Sequence, residues 1–264
     1  MEPDISKQPQ YDQRALVPDL SLYFRRWQDD SKQVGQALSP QQGVAYGPGD
    51  HETLDIFEPS GTPKGLHVHF HGGAWRALSS QDGWFVAPPW VDAGYCFVSV
   101  NFGLLPSVSL FTQMDQARRA LEWCGLNLTA QMGTGGISLS GHSSGAYLAA
   151  MAGLANWGRP QPDIRATILA SGVYDLRAVQ QSQRNDYLDL TAAEAISLSP
   201  AGHLNAQTPP TTVLWSVNEL PEFQQQSSDM VEKLEKRGPV QTCAADTPNH
   251  FDTWDLITPE LLLR

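Results

Sequence analysis

The stretch GGISLSGHSSGAYLAAMAGL, residues 135–154, decides the fold. It reads as a short apolar strand from Gly136 to Ser140, a sharp turn, and an alanine-rich helix from Gly145 to Leu154. The turn is Gly141-His142-Ser143-Ser144-Gly145, a GxSxG pattern. A serine at the apex of a strand-to-helix turn presents its hydroxyl outward, and the N-terminus of the following helix favours negative charge developing beside it. Small residues on both flanks let strand and helix approach closely, and Gly141 and Gly145 occupy those flanks. An ordinary β-turn-α junction could carry the same five letters. The strand before and the slim helix after, with Ala146, Ala149 and Ala150, favour a nucleophile elbow with Ser143 as nucleophile.

A serine hydroxyl is a weak nucleophile without a base. Of the seven histidines, His250 follows the last expected strand, in ADTPNHFD, where an elbow enzyme of this topology carries its base. The acid is expected between serine and histidine, after a strand. Glu219, just past the strand TTVLWSV, is the first choice. Asp175 in SGVYDL is the second, with Glu222 and Asp252 weaker. An oxyanion hole needs backbone N–H groups at a neighbouring strand end. HFHGGAWRALS, residues 69–79, follows the strand Leu66 to Phe70 and offers Gly72, Gly73 and Ala74, with the N–H of Ser144 opposite. His71, Trp75 and His142 are expected around the substrate pocket. His67, His69 and His71 alternate along one strand face, a geometry a metal could use. No carboxylate or cysteine ligand is near them in sequence, so neither a metal nor an organic cofactor is expected.

The rest of the chain alternates strands and helices. A helical patch at Leu20 to Trp27 belongs to an N-terminal extension covering residues 1–40. Gly47-Pro48-Gly49-Asp50 splits a hairpin, Gly43 to Tyr46 and Glu52 to Phe57. Strands follow at Tyr95 to Val100, Ala166 to Ala170, Thr212 to Val217 and Val240 to Ala244, with helices at Leu110 to Trp123 and Glu222 to Arg237 and a last helix at the C-terminus. Residues 175–206 are less regular and are expected to form a small lid. This pattern predicts one α/β domain over residues 1–264, with a mostly parallel sheet covered by helices on both faces.

The net charge of −11 argues against a nucleic-acid partner, because phosphate binding needs a basic surface. No apolar run is long enough to span a bilayer. The N-terminus lacks a basic segment followed by an apolar run, so no secretory signal is expected. Cys96, Cys124 and Cys243 are scattered, which fits free thiols in a reducing, cytoplasmic setting.

Together these segments resemble the kynurenine formamidase (arylformamidase) group of the α/β-hydrolase family. YDQRALVPD, HGGAWRALS, GHSSGAYLAA, SGVYDLRAV, ELPEFQQQS and NHFD look like that group's segments, in its order, from about Tyr11 to the C-terminus. GxSxG and HGG are shared by many esterases; Trp75-Arg76 and the Pro-Glu-Phe after the acid are more specific. The resemblance implies Ser143 as nucleophile, His250 as base, Glu219 as acid, and an oxyanion hole from Gly72, Gly73, Ala74 and Ser144. Three positions depart from the group. Glu219 stands where aspartate is common. Ala74 replaces a larger residue, which should widen the pocket. Asn101 to Pro106, NFGLLP, replaces a tyrosine-arginine version and removes a charge. The expected activity is hydrolysis of a small amide, such as an N-formyl aryl amine, through an acyl-enzyme. The rivals are a broad short-chain carboxylesterase, a non-catalytic ligand-binding relative, and a metal protein built on His67, His69 and His71. The expected partner is a small-molecule amide or ester, with neither nucleic acid nor membrane; a homodimer is left open.

Overall fold

A computed structural model describes residues 11–129, 136–156, 158 and 161–263. The first ten residues of the expected N-terminal extension lie outside the described residues. One eight-stranded sheet organises the chain, in the order β1-β2-β4-β3-β5-β6-β7-β8. The strands are β1 (Gln41–Ala45), β2 (Thr53–Phe57), β3 (Gly65–Phe70), β4 (Tyr95–Val100), β5 (Ile137–His142), β6 (Ile164–Ala170), β7 (Thr211–Ser216) and β8 (Val240–Ala245). β1 and β2 form the expected antiparallel hairpin, and β2 pairs antiparallel with β4. All pairings from β4 through β8 are parallel. The chain is therefore an α/β fold on a mostly parallel sheet, as the alternation predicts, and it has the architecture that the α/β-hydrolase resemblance implies.

The parallel strands are buried on both faces. Leu66, Val68 and Phe70 of β3 join a core with Met114, Ala117 and Leu121 of the helix α3 (Leu110–Cys124) and with Ala146, Ala149 and Ala150. On the opposite face, Phe57, Phe97, Ile168 and Leu214 pack under an aromatic layer of Trp27, Trp84, Trp90 and Trp254. Part of that layer comes from helix α1 (Leu20–Leu38), which begins at the apolar patch read from sequence and runs well beyond it. Two further segments of this face, a 3-10 stretch Ser80–Val86 and helix α2 (Ala87–Asp92), carry no clear sequence periodicity. The C-terminal helix expected from sequence is instead two short 3-10 segments, His250–Leu256 and Pro259–Leu261. Pro259 opens the second, and a proline is tolerated at such a start but not inside a longer helix.

Residues 175–206 fold as short helices, α5 (Leu176–Gln180), α6 (Asn185–Leu188) and α7 (Ala192–Ser197). They follow α4 (Ser144–Gly153), the elbow helix. Helix α8 (Pro221–Leu234) starts at the proline and ends one turn earlier than read. Cys96 and Cys124 are buried, Cys243 is half-buried, and all three are free thiols.

Strand and helix approach closely at the elbow. A Cβ placed on Gly145 would lie 2.1 Å from the Phe70 carbonyl oxygen, and one on Gly141 would lie 2.2 Å from the Gly145 carbonyl oxygen. The opposing atoms are backbone, so no rotamer change relieves the clash. Gly145→Ala is expected to destabilise the fold by about 1–3 kcal/mol, as forced overpacking does. Urea unfolding should show a lower midpoint at unchanged slope; a wild-type midpoint would mean that strand and helix separate freely here.

Candidate active site

The C-terminal ends of four parallel strands converge on one pocket, the usual place for a ligand in an open α/β sheet. The oxyanion-loop candidates follow β3, Ser143 follows β5, Glu219 follows β7 and His250 follows β8. The pocket is a cavity of about 590 Å³ lined by Ser143, His250, His142, Gly73 and Ala74, among others.

Ser143 adopts φ 54°, ψ −120°, a conformation that costs a non-glycine residue energy and that elbow serines share. Its amide donates to Ala170 O at 2.8 Å, tying the turn to the neighbouring strand. Its carbonyl accepts from Ala146 N and Tyr147 N, so the helix starts directly from the strained residue.

His250 Nδ1 lies 2.7 Å from Glu219 Oε2. Both side chains are buried, and this contact settles which carboxylate meets the imidazole. Asp175 is engaged elsewhere: it caps α5 through Arg177 N and pairs with the Arg177 guanidinium. With Nδ1–H given to the carboxylate, Nε2 of His250 is the nitrogen left to accept a proton. No hydrogen bond links Ser143 Oγ to His250 among the described residues, although both line the same cavity. Such contacts often tighten only when substrate binds. Burial, reinforced by the Arg184 cation, pushes His250 down to about 3, so the imidazole is neutral. Burial pushes the Glu219 carboxyl up to about 8, against hydrogen bonds from Ser171 and the Ser216 backbone.

The loop after β3 is held in left-handed backbone at three consecutive residues, Gly73 (φ 113°), Ala74 (φ 53°) and Trp75 (φ 63°). A Cβ on Gly73 would lie 2.0 Å from Ala77 O, so only glycine fits there. The Gly73 carbonyl accepts from Arg76 N and Ala77 N. The N–H groups of Gly73 and Ala74 have no protein acceptor among the described residues, nor does that of Ser144, which opens α4. Gly73 and Ala74 reach the cavity; Gly72 does not. Gly72 serves close packing, because a Cβ there would sit 3.1 Å from His142 O.

Two expected pocket residues lie elsewhere. His71 is buried behind the loop, stacked on Phe102 at 4.3 Å between ring centroids, with Nδ1–H donated to Gly72 O. Trp75 points into the core against Tyr147, because its left-handed backbone turns the side chain away from the cavity. His142 does line the pocket. Its Nε2–H donates to the His250 carbonyl at 3.0 Å, and its ring stacks on Trp254. The NFGLLP segment also stays outside the cavity. It buttresses the loop from behind: Leu105 N donates to Trp75 O, and Gly103 N donates to Gln116 Oε1.

His67 and His69 are structural. His67 contacts Ser138 Oγ at 2.8 Å and Ser140 Oγ at 2.7 Å. His69 contacts Ser140 Oγ at 2.8 Å, and Trp254 Nε1–H donates to its Nε2 at 2.9 Å. All four ring nitrogens are used, and burial holds both imidazoles neutral.

Sequence reasoning missed the N-terminal side of the pocket's roof; the other side lies within residues 175–206, the segment expected as a lid. Tyr11 to Arg14, with Leu20, Phe24 and Trp27 of α1, covers one side, and Ser182 to Tyr187 covers the other. Helix α1 also grips the histidine loop: Tyr23 Oη donates to Asp252, Asn249 Nδ2 donates to Tyr23 Oη, and Arg26 makes a two-pronged contact with Asp255. The aromatic spacing of α1 signalled burial but not what it would be buried against.

The profile of the alpha/beta hydrolase fold family matches residues 67–245. The chain belongs to the α/β-hydrolase family. It is 32% identical over 221 residues to kynurenine formamidase of Salmo salar, covering 79% of this chain and 74% of that protein. The kynurenine formamidase of Danio rerio is 32% identical over 205 residues, covering 74% and 69%. That level of identity over most of both sequences places the chain in the kynurenine formamidase branch, and it is an enzyme of the hydrolase class. Among solved structures, a Silicibacter sp. protein provisionally named a thioesterase superposes with a TM-score of 0.82 at 27% identity, covering 95% of this chain and 94% of that one. No helix among the described residues is long and apolar enough to cross a membrane.

The raised Glu219 carboxyl has a measurable consequence. An acid whose folded-state pKa exceeds its unfolded value stabilises the fold while protonated and loses that contribution as pH rises. For Glu219 the contribution is complete below about 4.5 and lost through about 8. Glu219→Gln keeps the shape without the charge. Its melting temperature should therefore gain on the wild type as pH rises across that window. A pH-independent difference between the two would contradict the assignment.

Proposed function

We propose that this hydrolase cleaves a small N-formyl aryl amide through a covalent formyl-enzyme. The observation that carries the reading is the meeting, in one cavity, of a serine on a strained elbow with an imidazole already oriented by a buried carboxylate. The likeness to kynurenine formamidases supports the substrate class.

In this reading Ser143 Oγ attacks the formyl carbon while His250 Nε2 takes its proton. The carbonyl oxygen becomes an oxyanion, received by the unengaged N–H groups of Gly73, Ala74 and Ser144. Glu219 stabilises the imidazolium that forms. Collapse breaks the C–N bond, and His250 returns the proton to the departing aryl amine. Water then attacks the formyl ester, again losing a proton to His250, and formate leaves with Ser143 restored. A formyl group occupies little of a cavity of about 590 Å³. Most of that space is available to the leaving amine, roofed by Tyr11, Phe24 and Tyr187.

Hydrolysis of short-chain esters is the second reading. It is favoured by Ala74, which lines the cavity beside the oxyanion donors and leaves room for a longer acyl chain. It is also supported by 26% identity over 240 residues to an esterase, LipQ, of Mycobacterium tuberculosis.

Initial rates on N-formyl-L-kynurenine beside a p-nitrophenyl ester series separate the readings. The formamide is expected to lead in kcat/KM by orders of magnitude; an ester lead would give the second reading priority. Ser143→Ala should lower kcat on the order of 10⁴–10⁶-fold in either case, and wild-type turnover would remove the nucleophile. Glu219→Ala should cost on the order of 10³–10⁴-fold, whereas Asp175→Ala should lose only a helix cap. The reverse ranking would move the acid to Asp175.

A further inference from the structure

The protein is strongly acidic, with 28 acidic against 17 basic residues, and most of its arginines are neutralised. Arg14, Arg25, Arg26, Arg118, Arg119, Arg165 and Arg177 all pair with carboxylates. Among the described residues, Arg76, Arg184 and Arg237 have no carboxylate partner within ion-pair distance. Arg76 and Arg184 line the cavity that holds Ser143 and His250.

Arg184 is the more deeply placed of the two. Its guanidinium lies over the Trp75 ring at 5.6 Å and the Phe223 ring at 5.8 Å. The opposite neighbour of Phe223 is the candidate base, with 4.7 Å between the Phe223 and His250 rings. Nε and Nη2 donate to the Tyr11 carbonyl at 2.9 and 2.6 Å, which fixes the fork without neutralising it. Nη1 has no protein acceptor among the described residues. Asp12, whose carboxylate feels the Arg184 charge, is already held by Arg14 through both carboxylate oxygens. Arg76 lies at the rim, over the Tyr187 ring at 4.3 Å. A guanidinium held by rings and a backbone carbonyl keeps its charge, and in Arg184 the Nη1 edge is left for an incoming carboxylate.

We propose that Arg184, assisted by Arg76, is a substrate-binding group that receives a carboxylate on the leaving-amine side of the substrate. The enzyme then selects anionic aryl formamides over neutral ones. This rests on the formamide reading above and specifies the substrate within it. The roof supplies the selectivity: the aryl ring lies among Phe24, Trp27 and Tyr187, and its acidic chain ends at the two arginines.

The test uses a matched pair, 4-(2-formamidophenyl)-4-oxobutanoate and its uncharged primary amide. The aniline released from each is followed with the full-length enzyme. The wild type is expected to prefer the acid by at least tenfold in kcat/KM, mainly through KM, with the preference shrinking as salt is raised. Arg184→Gln should cut the acid-to-amide ratio at least tenfold, Arg76→Gln by less, and Arg184→Lys should recover part of it. Arg184 also holds Tyr11, so a purely structural role would lower both substrates together and leave the ratio intact. That result, or equal turnover of the pair by the wild type, overturns the carboxylate site and leaves the formamide reading standing. If neither compound is cleaved while p-nitrophenyl esters are, the formamide reading falls and this one falls with it.

Discussion

The hydrogen bond between His250 and Glu219 governs the design of this site. It joins two ionisable groups that are both buried. Burial opposes charge on both, so the pair is costly wherever a proton leaves it unbalanced. The structure accepts that cost at one place and surrounds it with polar support. Ser171 and the Ser216 backbone reach the carboxylate, Thr253 and His142 donate to the His250 carbonyl, and α1 pins the loop from outside. A loop histidine without this scaffold would sample many orientations. Here the imidazole is fixed before any substrate arrives, and the reorganisation energy is already spent in folding.

The elbow imposes a second constraint, of space. The carbonyls of Phe70 and His71 lie where a side chain at position 145 would begin. This close approach brings the end of β3 and the start of α4 together, and those carry the candidate oxyanion donors. The left-handed run Gly73-Ala74-Trp75 places Gly73 and Ala74 on the cavity while the Trp75 ring packs into the core. The NFGLLP segment then holds Trp75 from behind, which gives its departure from the family pattern a structural role at one remove from the pocket.

Much of this was legible in the sequence because the chemistry is local. Gly141, Gly145 and Ser143 carry their constraint within five residues, and strand–turn–helix order is visible in hydrophobic patterning. His250 and Glu219 were found by their places after strands, which topology then brings together. What was not legible depends on contacts distant in sequence. Whether Glu219 or Asp175 meets His250 is decided by loops 31 and 75 residues away, and only geometry shows Asp175 spent on its own helix. The pocket roof is the same kind of problem: Tyr11 and Arg184 meet across 173 residues. Trp75 was misplaced for a local reason, a positive φ at a non-glycine residue, which composition does not announce. His71 was misplaced because it stacks on Phe102, a contact distant in sequence. The C-terminal helix failed because Pro259 interrupts a run too short to propagate.

The hydrogen bonds of the buried histidines of β3 can be directed in only one way. Indole N–H is a donor only, so Trp254 must give its proton to His69 Nε2. His69 then carries its hydrogen on Nδ1 and donates to Ser140, whose hydroxyl is free to donate to His67 Nε2. His67 in turn donates from Nδ1 to Ser138, which donates to the Leu66 carbonyl. Every ring nitrogen has one role, and protonating any of them would leave two donors facing each other in an apolar layer. The alternation that suggested a metal is thus a proton-ordered brace. Its outer end is Trp254, whose ring stacks on His142, and His142 donates to the carbonyl of His250. The rigidity of the sheet interior is thereby carried to the candidate base by a tryptophan that is bound at its nitrogen and stacked at its face.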